Sequence, residues 1–147
     1  IPDSHITSSS IIDKDSAASH ARLGLDNAWC ASSDDDKPWI QFDLGDDHVI
    51  CAIATQGDSK SESWVTSYHV QYSEVGTDWQ GNSYKAIGRG ANELFAGSFD
   101  KSSVVKHQLD NPIRARYVRV LPQDYSGFAC MRVELYGSSL SGKKCTL

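Results

Sequence analysis

Three consecutive aspartates, Asp34, Asp35 and Asp36, lie between Ser32-Ser33 and Lys37-Pro38 in the stretch WCASSDDDKPWIQFDLG, residues 29–45. Such a run has three chemistries open to it: oxygen ligands for a hard cation, a solvated turn kept soluble by like charge, or acceptors for ligand hydroxyls at a loop rim. Further along, Gln56 and Asp58 in ATQGDSKSESW add an amide and another carboxylate. His20 and Arg22 supply donors, and Trp64, Tyr125 and Phe128 supply aromatic surface. Fixed carboxylates and amides that take paired hydroxyls, with a ring or apolar surface under the sugar, are the means of saccharide recognition. Catalytic groupings are missing from the sequence: it has no G-x-S-x-G elbow, no Gly-rich phosphate loop and no H-E-x-x-H. The five histidines, at 5, 20, 48, 69 and 107, are scattered, so the expectation is a protein that is not an enzyme.

The bulk properties narrow the class. A chain of 147 residues is long enough for one core of its own. A formal charge of -5, from 14 Lys+Arg against 19 Asp+Glu, argues against nucleic acid and weakly against anionic membranes. The longest apolar runs, such as Val49-Ile50-Cys51-Ala52-Ile53-Ala54, are far shorter than the roughly 20 residues that span a bilayer. The chain opens on Ile1-Pro2-Asp3 and not on Met, which reads as a mature or excised segment. Four cysteines, at 30, 51, 130 and 145, show no C-x-x-C pair and no histidine at zinc spacing. They fit an oxidising compartment, hence a secreted protein with at least one disulfide, and spacing alone leaves three full pairings open. Asn27, Asn82, Asn92 and Asn111 all fail the glycosylation pattern.

The elements that must position these groups are strands. Helical periodicity is almost absent, while short alternating segments recur between turn residues. Ile40, Phe42 and Leu44 share one face and Trp39, Gln41 and Asp43 the other. Gly45-Asp46-Asp47 reads as a turn into a central strand at 49–55. In the next strand Trp64, Thr66, Tyr68, Val70 and Tyr72 alternate with Val65, Ser67, His69 and Gln71. Segments 84–87, 93–95, 104–109, 116–121 and 129–136 complete a set of about eight strands, the count of a jelly roll or sandwich. In the last of them Met131, Val133 and Leu135 face the core, which puts Cys130 with Arg132, Glu134 and Tyr136 on the polar side. The tail from Gly137 to Cys145 would reach back to Cys130 only if almost fully extended, so Cys145 is expected to pair with something outside the chain, a homo-oligomer being one such link. Arg116, Arg119 and Arg132 read as structural, paired with Asp43 or Glu134. The segments 11–23, 31–38, 56–63, 88–103 and 122–128 are loops, several of which should gather at one rim.

The phrases IPDSHITSSS, NAWCASSDDDKPWIQFDLG, AIATQGDSKSESWVTSYHVQYS, NPIRARYVRVLP and CMRVELYG stand in the order and spacing of one family. The chain resembles the discoidin domain, also called the coagulation factor V/VIII type C domain, over residues 1–137, with 138–147 as a tail. The resemblance implies an all-β, eight-stranded jelly-roll-like β-sandwich of galactose-binding-domain-like type, non-catalytic, with ligand loops at one end. Within the family it looks nearest to discoidin-like invertebrate lectin domains, because WC, a Cys shortly before TQG, and WVTSY are shared; that implies a Cys30–Cys51 bridge. It also implies that the loops after WCASS and after TQG lie side by side. The ligand residues are then expected among Asp34, Asp35, Asp36, Gln56, Asp58, Trp64, His20, Arg22, Tyr125 and Phe128, and the partner is a galactose or N-acetylgalactosamine type glycan in cell adhesion. Phosphatidylserine membranes and C-terminal Arg or Lys peptides are the alternative ligands of the family. Calcium, held in sugar-binding relatives of this fold largely by carbonyls, would here use Asp26 and Glu134, although LDNAW lacks the usual Gly and Thr. Two departures stand out: no Cys precedes the first strand or comes directly after VELYG, where Gly137 is followed by Ser138, and Asp58 occupies the place where many members carry Arg.

Overall fold

The computed structural model describes residues 1–73, 85–86 and 94–139. Its strands are β1 (Ile6–Ser8), β2 (Trp29–Cys30), β3 (Ile40–Gln56), β4 (Trp64–Ser73), β5 (Lys85–Ala86), β6 (Phe95–Ala96), β7 (Val105–Ser126) and β8 (Cys130–Ser139). They pair antiparallel in the order β2-β8-β3-β7-β4-β5, with β1 on β3 and β6 on β4. The architecture is the expected jelly-roll sandwich, whose layers stay hydrogen-bonded through two strands that run through both.

Those two strands are where the sequence misleads. The expected strands at 40–44 and 49–55 are one strand, β3, and those at 104–109 and 116–121 are one strand, β7. Gly45 at φ 87 bends β3 without ending it, and the β3–β7 register slips between Asp43 and His48. Beyond the bend both faces of the strand are covered, which is why Ile50 to Thr55 is an unbroken buried run. In β4 a register slip near Ser67 moves the inward face, so Val65, Tyr68 and Val70 are buried while Thr66 is exposed.

The core joins Trp29, Ile40, Phe42, Tyr68, Val118, Val120, Met131 and Val133. Tyr68 stacks on Phe95 with ring centroids 5.5 Å apart. Across the β3–β7 pair Arg116 donates to Asp43 at 3.1 Å, as expected, and the buried Arg119 reaches Gln41 at 2.8 Å with its guanidinium over the Trp39 ring.

The disulfide expectation is overturned. Cys30 is bonded to Cys130 and not to Cys51. Cys30 and Cys130 stand directly opposite each other in the β2–β8 pair, with Cα atoms 4.0 Å apart, so register places their sulfurs together. Cys130 is fully buried and not on a polar surface, because β2 and the loop 57–63 cover that side of β8. Cys51 is disulfide-bonded as well, and Cys145 lies outside the described residues.

Candidate functional site

The bends in β3 and β7 bring the start of β3 (residue 40), its end (residue 56), the start of β4 and the end of β7 to one pole of the sandwich. The segments 9–12, 31–39, 57–63, 97–104 and 127–129 meet there. Ala31 N–H donates to the Ala129 carbonyl at 3.0 Å, and Phe128 N–H to Ser63 Oγ at 3.0 Å. Gly127, at φ 76, carries no Cβ where one would lie 2.5 Å from Ser63 Oγ, so the turn packs closely on that serine. Lys101 pairs with Glu62 at 3.5 Å. Asp100 closes its own loop by accepting from Ser102 N–H, Ser103 N–H and Ser103 Oγ; the Ser103 bonds hold its carboxyl below the usual range.

The three aspartates are not equivalent. Asp35 Oδ2 accepts from Ser9 Oγ at 2.5 Å and from Ser10 Oγ at 2.6 Å, and its Oδ1 from Lys37 N–H at 3.2 Å. Burial pushes its carboxyl up, but the hydroxyls of Ser10 and Ser9 and the Lys37 N–H together hold it below the usual range. Ser10 also accepts from Ser32 N–H through its hydroxyl and from Trp29 Nε1 through its carbonyl. Asp35 is therefore the internal tie of the turn. Asp34, exposed, accepts from Ser32 Oγ. Asp36 is exposed and has no hydrogen-bond or ion-pair partner among the described residues.

Asp36 borders a groove of 440 Å³ lined by Ser33, Lys37 and Pro38 on one side and Leu121, Gln123 and Tyr125 on the other. A smaller hollow of 140 Å³ adjoins it, sharing Ser33, Asp35 and Tyr125 and extending to Phe128. Tyr125 and Phe128 are 49% and 45% exposed, so both rings remain available. The groove thus combines a carboxylate with no partner among the described residues, an ammonium, hydroxyls and an amide with aromatic and proline surface, the mixture that binds a polar ligand having apolar faces. Of the residues the sequence marked, Asp35, Asp36, Tyr125 and Phe128 line the groove and its adjoining hollow, while Asp34 lines neither. Ser33, Lys37 and Gln123 went unmarked, as did the bracing by Ser9 and Ser10, whose only signal was the serine run beside ITS.

The other marked residues stand elsewhere. Gln56 uses its amide inside the protein, accepting from Gly24 N–H at 2.9 Å and donating to the Ser102 carbonyl at 2.7 Å. Asp58 is buried and accepts from Lys60 N–H and Ser61 Oγ beside the Cys30 sulfur. Arg22 pairs with Asp3 at 2.8 Å and with the Ile1 carbonyl. His20 Nδ1 bonds the Asp15 carbonyl at 2.7 Å, and Trp64 is half-buried at the start of β4. Among the described residues one set of three metal-ligating groups lies close together, Cys30, Asp58 and Cys130, and its two sulfurs are joined in the disulfide. Asp26 is exposed and Glu134 half-buried, and neither belongs to such a set. Arg132 does not pair with Glu134; its guanidinium binds three backbone carbonyls instead.

The F5/8 type C domain family matches residues 5–135. The human EGF-like repeat and discoidin I-like domain-containing protein 3 is 36% identical over 128 residues, which is 84% of this chain and 26% of that protein. Wild-type discoidin II from Dictyostelium discoideum superposes with a TM-score of 0.80 at 25% identity, covering 90% of this chain and 53% of that one. The family 32 carbohydrate-binding module of C. perfringens NanJ, solved in complex with galactose, shares the fold with a TM-score of 0.69 at 19% identity, over 92% and 96% of the two chains. The chain thus spans about a quarter of the first relative's length.

Proposed function

The chain belongs to the F5/8 type C, or discoidin, domain family, and from that premise we propose that this binding module is a lectin whose glycan site is the rim groove between Asp36 and Tyr125. The observation that carries the reading is the groove itself: Asp36 has no partner among the described residues while Asp35 beside it is tied down, and two exposed rings flank the opening. Galactose bound to a neighbour of the same fold supports the ligand class. The Asp36 carboxylate would accept from two sugar hydroxyls, with Lys37 and the Gln123 amide beside it and the ring face of Tyr125 or Phe128 under the sugar's C–H surface. A disulfide persists in oxidising surroundings, so we place the domain outside the cell.

A glycan array tests this directly. Galactose- or N-acetylgalactosamine-terminated glycans should be retained, and Asp36→Ala or Tyr125→Ala should weaken binding about tenfold or more, the cost of one lost charge-assisted bond or ring contact. A second reading rests on Phe99, 69% exposed at the tip of the 97–104 loop beside Lys101. Apolar insertion next to a cation is how a domain reads a phosphatidylserine surface. Sedimentation with phosphatidylserine vesicles and no array signal would replace the glycan reading by this one.

A further inference from the structure

Arg132 lies in β8, 5% exposed, and opposite it in the β3–β8 register stands Gln56. Its Nε donates to the Gly57 carbonyl at 2.7 Å, Nη1 to Leu25 at 2.6 Å and Nη2 to Lys101 at 3.0 Å. Gln56 bridges the residues next to two of these, Gly24 and Ser102. One cross-strand pair therefore grips three loops, two of them twice. Asp58 and Asp26 supply the negative field around the guanidinium.

We propose that Arg132, with Gln56, is the positioning clamp of the rim: its guanidinium is an internal cation on which the carbonyls of three loops converge, so that the rim keeps its shape without a divalent ion. The function it serves rests on the rim being the ligand surface. The connection to the groove runs through the 57–63 loop, which starts at the gripped Gly57 and ends at Ser63, the acceptor beneath Phe128. A planar group with fixed donor directions suits this task, because each N–H points at a different loop. A lysine ammonium, a point charge with rotatable donors on a flexible stem, does not hold three carbonyls in that plane.

Hydrogen exchange read by mass spectrometry tests the clamp without any ligand. In Arg132→Ala, peptides covering 22–28, 57–63 and 97–104 should exchange about tenfold faster while 49–55 stays protected, a local opening and not a global one. Methylguanidinium added at millimolar concentration should restore protection in the three loops, and Arg132→Lys should restore it only in part. Wild-type protection should be unchanged by EDTA. Uniformly faster exchange that includes 49–55, or no recovery with methylguanidinium, would overturn the clamp, as would loops loosened by EDTA. Should Arg132→Ala not fold, Gln56→Ala serves: faster exchange at 22–28 and 97–104 with 57–63 intact supports the clamp, and unchanged exchange refutes it. Intact loops in a protein that binds no glycan would count against the proposed function and leave the clamp standing.

Discussion

Asp35 accepts two serine hydroxyls and a backbone N–H, while Asp36, one residue on, reaches into the groove with no partner among the described residues. The consequences separate cleanly. Asp35→Ala strands Ser9 and Ser10 and should cost about 1–3 kcal/mol in urea denaturation. Asp36→Ala should change stability by no more than about 0.5 kcal/mol, as exposed substitutions do. The pH dependence follows from the depressed carboxyl of Asp35 and likewise of Asp43, where burial is outweighed by Arg116 and the Gly45 N–H. A group whose folded pKa is lowered contributes stability that is present above its unfolded value, here 3.8, and is lost as pH falls through the folded value. Acid unfolding of the wild type should therefore begin below about pH 4, with Asp35→Ala showing a shallower loss there. The sequence could single out the run of three aspartates but not rank them. Which carboxylate turns inward depends on serines about 25 residues upstream, and nothing local to the run encodes that contact.

At the level of elements, alternation at Ile40-Phe42-Leu44 and the apolar run after Val49 were readable because burial on one face or two leaves that imprint. The continuity of β3 through Gly45, and of β7 through Pro112, was not readable: glycine, aspartate and proline mark a bend and a turn alike, and only the partner strands decide between them. The same holds for the cysteines. Cys30 lies 21 positions from Cys51 but 100 from Cys130, and the short β2 that sets Cys30 opposite Cys130 is two residues long. Closing a loop of this length stabilises by about 4–5 kcal/mol in the chain-entropy model. The double variant Cys30→Ala, Cys130→Ala should accordingly lower the melting midpoint by on the order of 10 °C, read by calorimetry. Loops 57–63 and 127–129, which pack on the disulfide and on each other, should open first.

The rim groove sits on a chain of net charge -5, and its ligand in the proposed reading is an uncharged sugar. Hydrogen bonds to a neutral ring gain little from long-range attraction, so glycan affinity should change little as ionic strength rises and the screening length shortens from about 30 to 8 Å. Binding through Lys101 to an anionic vesicle would instead weaken steeply over the same range. A single shallow rim also holds one sugar weakly. The related human protein is about four times the length this chain matches, and discoidin II about twice, leaving room for further binding units. Four copies of the domain on a streptavidin core, offered a surface dense in terminal galactose, should bind 10² to 10⁴ times more tightly than the monomer in apparent terms, about the gain that linkage confers without any new contact. Free galactose should reverse both forms, and Asp36→Ala should weaken both, because avidity multiplies whatever affinity the single site retains. Tight monomer binding with no gain on tetramerisation would instead mean that the ligand spans more of the rim than one sugar, extending past Phe128 toward the 97–104 loop.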